Sequence, residues 1–292
     1  MKSNSYLCRK LWESEQGVAG VVVGLLFIGL IFSAVAFVQG VYVPQWMEEK
    51  EAEHMDTVSN QFSQLKFSAD TLAVISKQYS PISNPVTLGS KEMPFLFSQR
   101  SYGSLNIIPD ECIIIFTDIF DAAYSYTLGA ITYSSQNAYF INQDYVYEAG
   151  GLILSQDSGD IFVMNPSIYL IDKTDLHFDL IKLTPIGGKL SASGFGTYPV
   201  QTRYSDSETV DLIITKSIEI YNSHLGAWDE FFENLFLDLD LKKIEYKIEP
   251  TADGNGMEIS FLPNVTAHMP YYPEVSLQVT DIDIQISPGW VE

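Results

Sequence analysis

Residues Gly17–Val43 read GVAGVVVGLLFIGLIFSAVAFVQGVYV. The run carries no charge, and Gln39 is its one strongly polar side chain. Wound as an α-helix at about 1.5 Å per residue it reaches roughly 40 Å, enough to cross a ~30 Å hydrocarbon core. A helix satisfies its own backbone polar groups, so lipid can surround it. Core helices of soluble proteins rarely stay apolar on every face for so long, and the apolar part of a cleaved secretory signal is only about 7–15 residues. The stretch is read as a membrane span, and the rest of the chain is arranged around it.

Orientation follows from the flanks. Lys2, Arg9 and Lys10 precede the run, whereas Glu48, Glu49, Glu51 and Glu53 follow it with Lys50 as the one cation among them. The side richer in Lys and Arg stays in the cytoplasm, so the bulk of the chain is expected outside. Tyr42 and Trp46 then fall at the outer interface, where amphipathic rings are favoured, and Pro44 between them is expected to kink the helix as it leaves the lipid. The expected partition is a cytoplasmic leader at 1–16, a transmembrane helix at 17–46, a helical stalk at 47–80 and an extracellular β-rich domain at 81–292.

Charge narrows the partners. The formal net charge of −21 lies almost wholly after the span. Nucleic acid calls for clustered Lys and Arg and is excluded as a partner. Cys8 and Cys112 flank the span, fall on opposite sides of a membrane and leave no disulfide framework. Within the span, Gly20 and Gly24 make a GxxxG pair, and Gly29 and Ser33 are read as continuing it; such small residues let a second helix approach closely. The expected partners are the bilayer and other copies or like chains, met through this helix.

After Pro44 the residues Met55, Val58, Phe62, Leu65, Ala69, Leu72 and Tyr79, with Ser76 filling the one missing slot, recur at alternating steps of three and four, the signature of an apolar helical face. A helix from about Trp46 to Tyr79, stopped by Pro81, follows. Its stripe packs on the outer domain as a core helix or turns partly toward a neighbouring copy. From Val86 onward strands dominate: Ile107–Phe116, Gly129–Tyr133, Gly151–Leu154, Ile161–Met164, Ile168–Ile171, Asp211–Tyr221, Val275–Val279 and Ile282–Ile286 are rich in β-branched and aromatic residues. Lys243–Glu249 and Met257–Leu262 flank Asp253-Gly-Asn-Gly256 as a hairpin. Leu225, Trp228, Phe232, Leu235 and Leu239 have helical spacing, which predicts a helix of about 14 residues covering a sheet face. The fold class is α+β: a long N-terminal transmembrane and stalk helix, then an antiparallel β-rich domain with one covering helix.

Three segments carry a resemblance. GVAGVVVGLLFIGLIFSAV (Gly17–Val35) is similar to the hydrophobic segment that opens type IV pilin-like proteins of archaea, and the helix continuing to Tyr79 resembles their stalk. QDYVYEAGGLILSQDSGD (Gln143–Asp160) and SHLGAWDEFFENLF (Ser223–Phe236) resemble segments of an uncharacterised single-span, pilin-like archaeal family. The resemblance implies removal of the leader by a prepilin-type peptidase, export, and packing of apolar helices in a filament core. It places the cut after Gly17, ahead of Val18, or after Lys10, which would make Glu15 the fifth mature residue. It also implies a role in surface structure or adhesion, performed by contact and not by turnover.

His54, His177, His224 and His268 belong to no HExxH or zinc-spaced set. Asp175, His177 and Asp179 share one face if their segment is a strand, which makes them the best candidates for an ion, although calcium needs about six oxygens or more. Asp253-Gly-Asn-Gly256 lacks the further ligands of a calcium loop and is read as a turn. Asn264-Val-Thr266 is a glycosylation sequon. No nucleophile–base set and no cofactor motif is present, so no enzyme is expected. The alternative to a pilin-like role is a single-span envelope protein whose outer β domain binds a ligand such as a surface glycan without polymerising.

Overall fold

The computed structural model describes residues 15–76, 81–90, 101–171, 174–187, 189–238, 241, 245–262 and 272–287. The chain forms two compact units, Met1–Lys50 and Glu51–Glu292. The class is α+β, with one long apolar N-terminal helix ahead of a large and mainly antiparallel sheet.

α1 (Glu15–Phe37) leads through one π turn, Val38–Tyr42, into α2 (Val43–Ile75), whose residues from Glu51 onward belong to the second unit. Every side chain from Ala19 to Phe37 is exposed. Pro44 has no N–H, and in a regular helix its ring would strike the carbonyl of Gly40, four residues back. The wider turn resolves this: the Val43 N–H bonds to the carbonyl of Val38, five residues back. The expected irregularity at Pro44 therefore takes the form of a π turn. Phe37, Tyr42 and Trp46 line up beside it, with ring centroids 5.6 Å and 6.0 Å apart in succession.

Among the described residues the second unit holds thirteen strands. They are β1 (Ile82–Thr87), β2 (Tyr102–Asp118), β3 (Ala123–Gln136), β4 (Asp144–Glu148), β5 (Gly151–Gln156), β6 (Gly159–Met164), β7 (Ser167–Leu170), β8 (Asp175–Pro185), β9 (Ser191–Gly194), β10 (Thr197–Tyr221), β11 (Tyr246–Pro250), β12 (Gly256–Phe261) and β13 (Glu274–Ile286), with α3 (Leu225–Asp238) between β10 and β11. The main order is β6-β5-β4-β3-β2-β10-β13-β8-β7, with β1 and β12 also on β10, β9 on β2 and β11 on β12. β10 is the shared member. Its residues 197–202 pair with β1 and 200–214 with β13, and its last five residues lie between β2 and β12. One pair departs from the antiparallel expectation: β8 runs parallel to β13, Asp175–Pro185 against Glu274–Ile284.

Two large apolar cores result. One joins Cys112, Ile114 and Phe116 of β2, Leu176, Phe178 and Leu180 of β8, Val275, Leu277 and Val279 of β13, and Trp228, Phe231, Phe232 and Phe236 of α3. The other joins Leu105 and Ile107 of β2, Ile181 and Leu183 of β8, and Ile282, Ile284 and Ile286 of β13 to the α2 stripe, where Met55, Val58, Phe62, Leu65, Ala69 and Leu72 are all buried. Successive residues of a strand point to opposite faces. Burial in β13 moves from odd positions to even ones after Val279, and in β8 from even to odd after Leu180, so these strands hand the buried side from one face to the other at mid-length. β2 makes the same change across a bulge between Ile108 and Cys112. At this waist a Cβ on Gly129 of β3 would lie 2.3 Å from the Leu183 carbonyl oxygen of β8, so the two backbones meet with no side chain between them.

Polar bonds fasten α2 to the sheet alongside its apolar stripe. The fully buried Glu51 carboxylate accepts the backbone N–H groups of Ala138, Tyr139 and Phe140 at 3.0, 2.8 and 2.7 Å. The Tyr133 hydroxyl donates to the Leu88 carbonyl at 2.9 Å, so the His54 Nε2 at 3.0 Å is its donor. Burial holds that imidazole below its ordinary pKa. Gln61 accepts the Thr87 N–H at 2.8 Å and donates to its hydroxyl at 3.1 Å. Lys66 donates to the Gly150 carbonyl in the β4–β5 turn at 2.6 Å and to Asp70 at 3.0 Å.

Several boundaries differ from those expected. α2 stops at Ile75, because Ser76 turns left-handed at φ 49° while its N–H returns to the Leu72 carbonyl. Tyr79 lies outside the described residues. β1, β4, β9 and the first half of β10 are not among the strands expected from the sequence, and β8 is there only as a condition for Asp175, His177 and Asp179 to share a face. β1 contains Pro85, which sits at a sheet margin opposite Pro199.

Two substitutions test this architecture. Glu51→Ala leaves three N–H groups without their acceptor, and a loss of about 3 kcal/mol is expected in the unfolding of the head, with faster hydrogen exchange at residues 138–140. Gly129→Ala must displace the β8 carbonyl and is expected to cost ~2 kcal/mol or more. Gly226→Ala, in open space on α3, should be neutral or slightly stabilising in the same thermal melts.

Candidate functional site

Gly20, Gly24 and Gly29 each have open space where a side chain would begin. The Ser33 hydroxyl bonds back to the Leu30 carbonyl at 2.8 Å, so it leaves no donor projecting from the helix. The helix geometry corrects the expectation of a single small-residue stripe. Gly20 and Gly24 are four residues apart, as are Gly29 and Ser33, but the step from Gly24 to Gly29 is five residues. At about 100° per residue, Gly29 lies on the face opposite Gly20. The small residues make two short, oppositely directed patches. Gly17, one of the two cleavage positions, lies within the helical residues of α1. Lys10, the other, and Asn264 of the sequon lie outside the described residues.

Asp175, His177 and Asp179 do share a face of β8, while Leu176, Phe178 and Leu180 between them are buried. His177 is already engaged. Its ring stacks on Tyr169 with centroids 5.2 Å apart and 10° between planes, and its Nδ1 bonds to the Ser276 hydroxyl of β13. Burial pushes the Asp179 carboxyl up, against the pull of His177. Among the described residues, no three His, Cys, Asp or Glu side chains come together as a metal set. Asp253 forms a turn: its carboxylate accepts from the Thr251 hydroxyl at 2.6 Å and the Asn255 N–H at 3.2 Å, which hold its pKa down.

Two features escaped the sequence reading. The first is a cleft of about 550 Å³ at the waist, between β2–β3 and the β8–β13–β10 side. Asp110, Tyr126, Lys182, Thr184, Glu208 and Asp281 line it. Asp281 is held by Lys182 at 3.2 Å and by Thr184 at 2.6 Å. Burial and the charge of Glu208 push the Tyr126 hydroxyl up. Its one sequence signal is Pro109-Asp-Glu111, which interrupts an otherwise apolar strand and marks the bulge.

The second is Glu148, fully enclosed at the end of β4. Its Oε1 accepts the Trp228 indole N–H at 2.9 Å and the Asn222 amide, while Oε2 has no hydrogen-bond partner. Burial pushes its pKa up to about 7, against the pull of Trp228, His224 and Asn222. Burial likewise pushes the neighbouring Cys112 thiol well up and raises Asp144. The signal available was an acid closing the strand DYVYE directly after the apolar run Tyr145–Tyr147. A comparison with protein-family models, curated proteins and solved structures finds no match to this chain.

Proposed function

We propose that this chain is a pilin-like protein of the cell surface, held in a bilayer by the helix at 17–46, with its head outside and acting by contact with neighbouring subunits in surface structure or adhesion. The observation that carries the reading is α1. Apolar residues cover its whole circumference, every side chain from Ala19 to Phe37 is exposed, and its length suffices to cross a hydrocarbon core. Burying that surface in lipid or against other helices is worth about 25 cal/mol per Å² relative to water. The paired aromatics at Tyr42 and Trp46 suit the interface beyond it.

The two opposed small-residue patches support contact on two sides at once. A dimer needs one such face, whereas a helix inside an extended assembly meets neighbours on both. A second reading, a non-polymerising anchored receptor, draws its support from the waist cleft, whose carboxylates, hydroxyls and tyrosine suit a polyhydroxylated ligand such as a glycan.

N-terminal sequencing of protein from its own host separates the two. A start at Leu11 or Val18 is expected for a processed subunit; an intact Met1 would overturn the filament part and favour the receptor. Replacing Gly20 and Gly24 by Leu, or Gly29 and Ser33 by Leu, is expected to weaken helix association in bilayers by roughly tenfold for each pair separately, read by energy transfer between labelled chains. Loss with one pair only would reduce the assembly to a dimer.

A further inference from the structure

Glu148 stands where β2, β4, β6 and the connection into α3 meet. Its Oε1 receives Trp228 from α3 and Asn222 from the connection, and the Asn222 Oδ1 in turn accepts the His224 backbone N–H. One side-chain oxygen thus holds the entry to α3. The other, Oε2, is enclosed without a donor.

The charges facing this group come from each packed element. Glu111 on β2 opposes ionisation, and His224 on the connection favours it. The His224 Nδ1 lies 3.5 Å from the Asp160 carboxylate of β6, and Asp144 of β4 is subject to both His224 and Asp160. The thiol of Cys112 on β2 is buried and neutral beside it.

We propose that Glu148 is a proton-operated latch on α3: with a proton on Oε2 it holds Asn222–Trp228 closed against β4, and on ionisation that segment opens to admit water. The neutral acid keeps both bonds to Oε1 and leaves one O–H at Oε2 without an acceptor, a smaller cost than an unmatched charge. The carboxylate places an unmatched charge in an enclosed site beside Glu111, a cost relieved by hydration. Water enters at the connection, where Ser223 is exposed and Asn222 and His224 are half-buried, whereas β4 is paired on both sides. Opening there lifts Trp228 from Phe162 and Phe232, against which its ring packs. The sign is fixed by the proton affinities. The closed state binds the proton more tightly than exposed Glu, so closure is complete at low pH and is lost as pH rises toward 7.

The test is hydrogen exchange read by mass spectrometry on the full chain in detergent micelles, from pH 5 to 8.5, with rates corrected for intrinsic pH dependence. Protection of residues 222–232 is expected to fall by roughly tenfold per pH unit up to about pH 7 and then level, while the α2 stripe stays constant. Glu148→Gln, isosteric and neutral, is expected to abolish the dependence, and His224→Gln to retain it. A flat wild-type profile, a dependence that survives Glu148→Gln, or one abolished by His224→Gln would each overturn the latch. Should Glu148→Gln fail to fold, the wild-type and His224→Gln profiles still decide.

Discussion

The head depends on a change of face. A strand presents alternate residues to opposite sides, so a strand that serves two cores must change phase between them. β8 and β13 change together without losing register, and β2 does so across its bulge. Close to the change Gly129 lets the β3 and β8 backbones touch, with no side chain between them. Above that contact the strands enclose the aromatic face of α3; below it they receive the stripe of α2. The waist cleft lies at the same level, lined by Leu128 and Leu183 beside that contact.

A chain with 37 acidic and 16 basic residues cannot give every carboxylate a cation. The head meets this shortage in two ways. Some acids do find cations, as Asp283 does with Arg203 at 2.8 Å. Glu51 is neutralised by three backbone N–H groups instead, which makes a loop conformation the counterpart of its charge. At Glu148 two donors meet Oε1 and none meets Oε2, and burial raises the proton affinity of the acid. Two enclosed glutamates therefore stand in opposite surroundings, one ringed by backbone donors and one short of them.

The sequence disclosed these layers unequally. Period-3.6 and period-2 patterns are local, and they located α1, the α2 stripe, α3 and most of the long strands. Phase changes are local too, but they mislead: the shift between Val279 and Ile282 reads as two strands, whereas one continuous β13 passes through it. Ser76 gave no warning as a helix stop, since glycine is the usual left-handed terminator and Pro81 was the obvious breaker. Pro85 concealed β1, whose strand character depends on its place beside β10. Asp175, His177 and Asp179 were correctly placed on one face, but no local pattern reveals that Ser276 and Tyr169 already occupy the histidine. The cleft and the Glu148 cluster draw on residues far apart in sequence, and only the topology joins them.

The parallel pairing of β8 with β13 bears on how the head is completed. β13 fills the slot between β10 and β8, strands made long before it during synthesis. Until it arrives, each exposes an unsatisfied hydrogen-bonding rim and the apolar residues of both cores. Such rims invite the wrong neighbour, above all the same strand of an identical chain. The order of synthesis therefore leaves the middle of the sheet to be closed last, by the strand that comes latest in the chain.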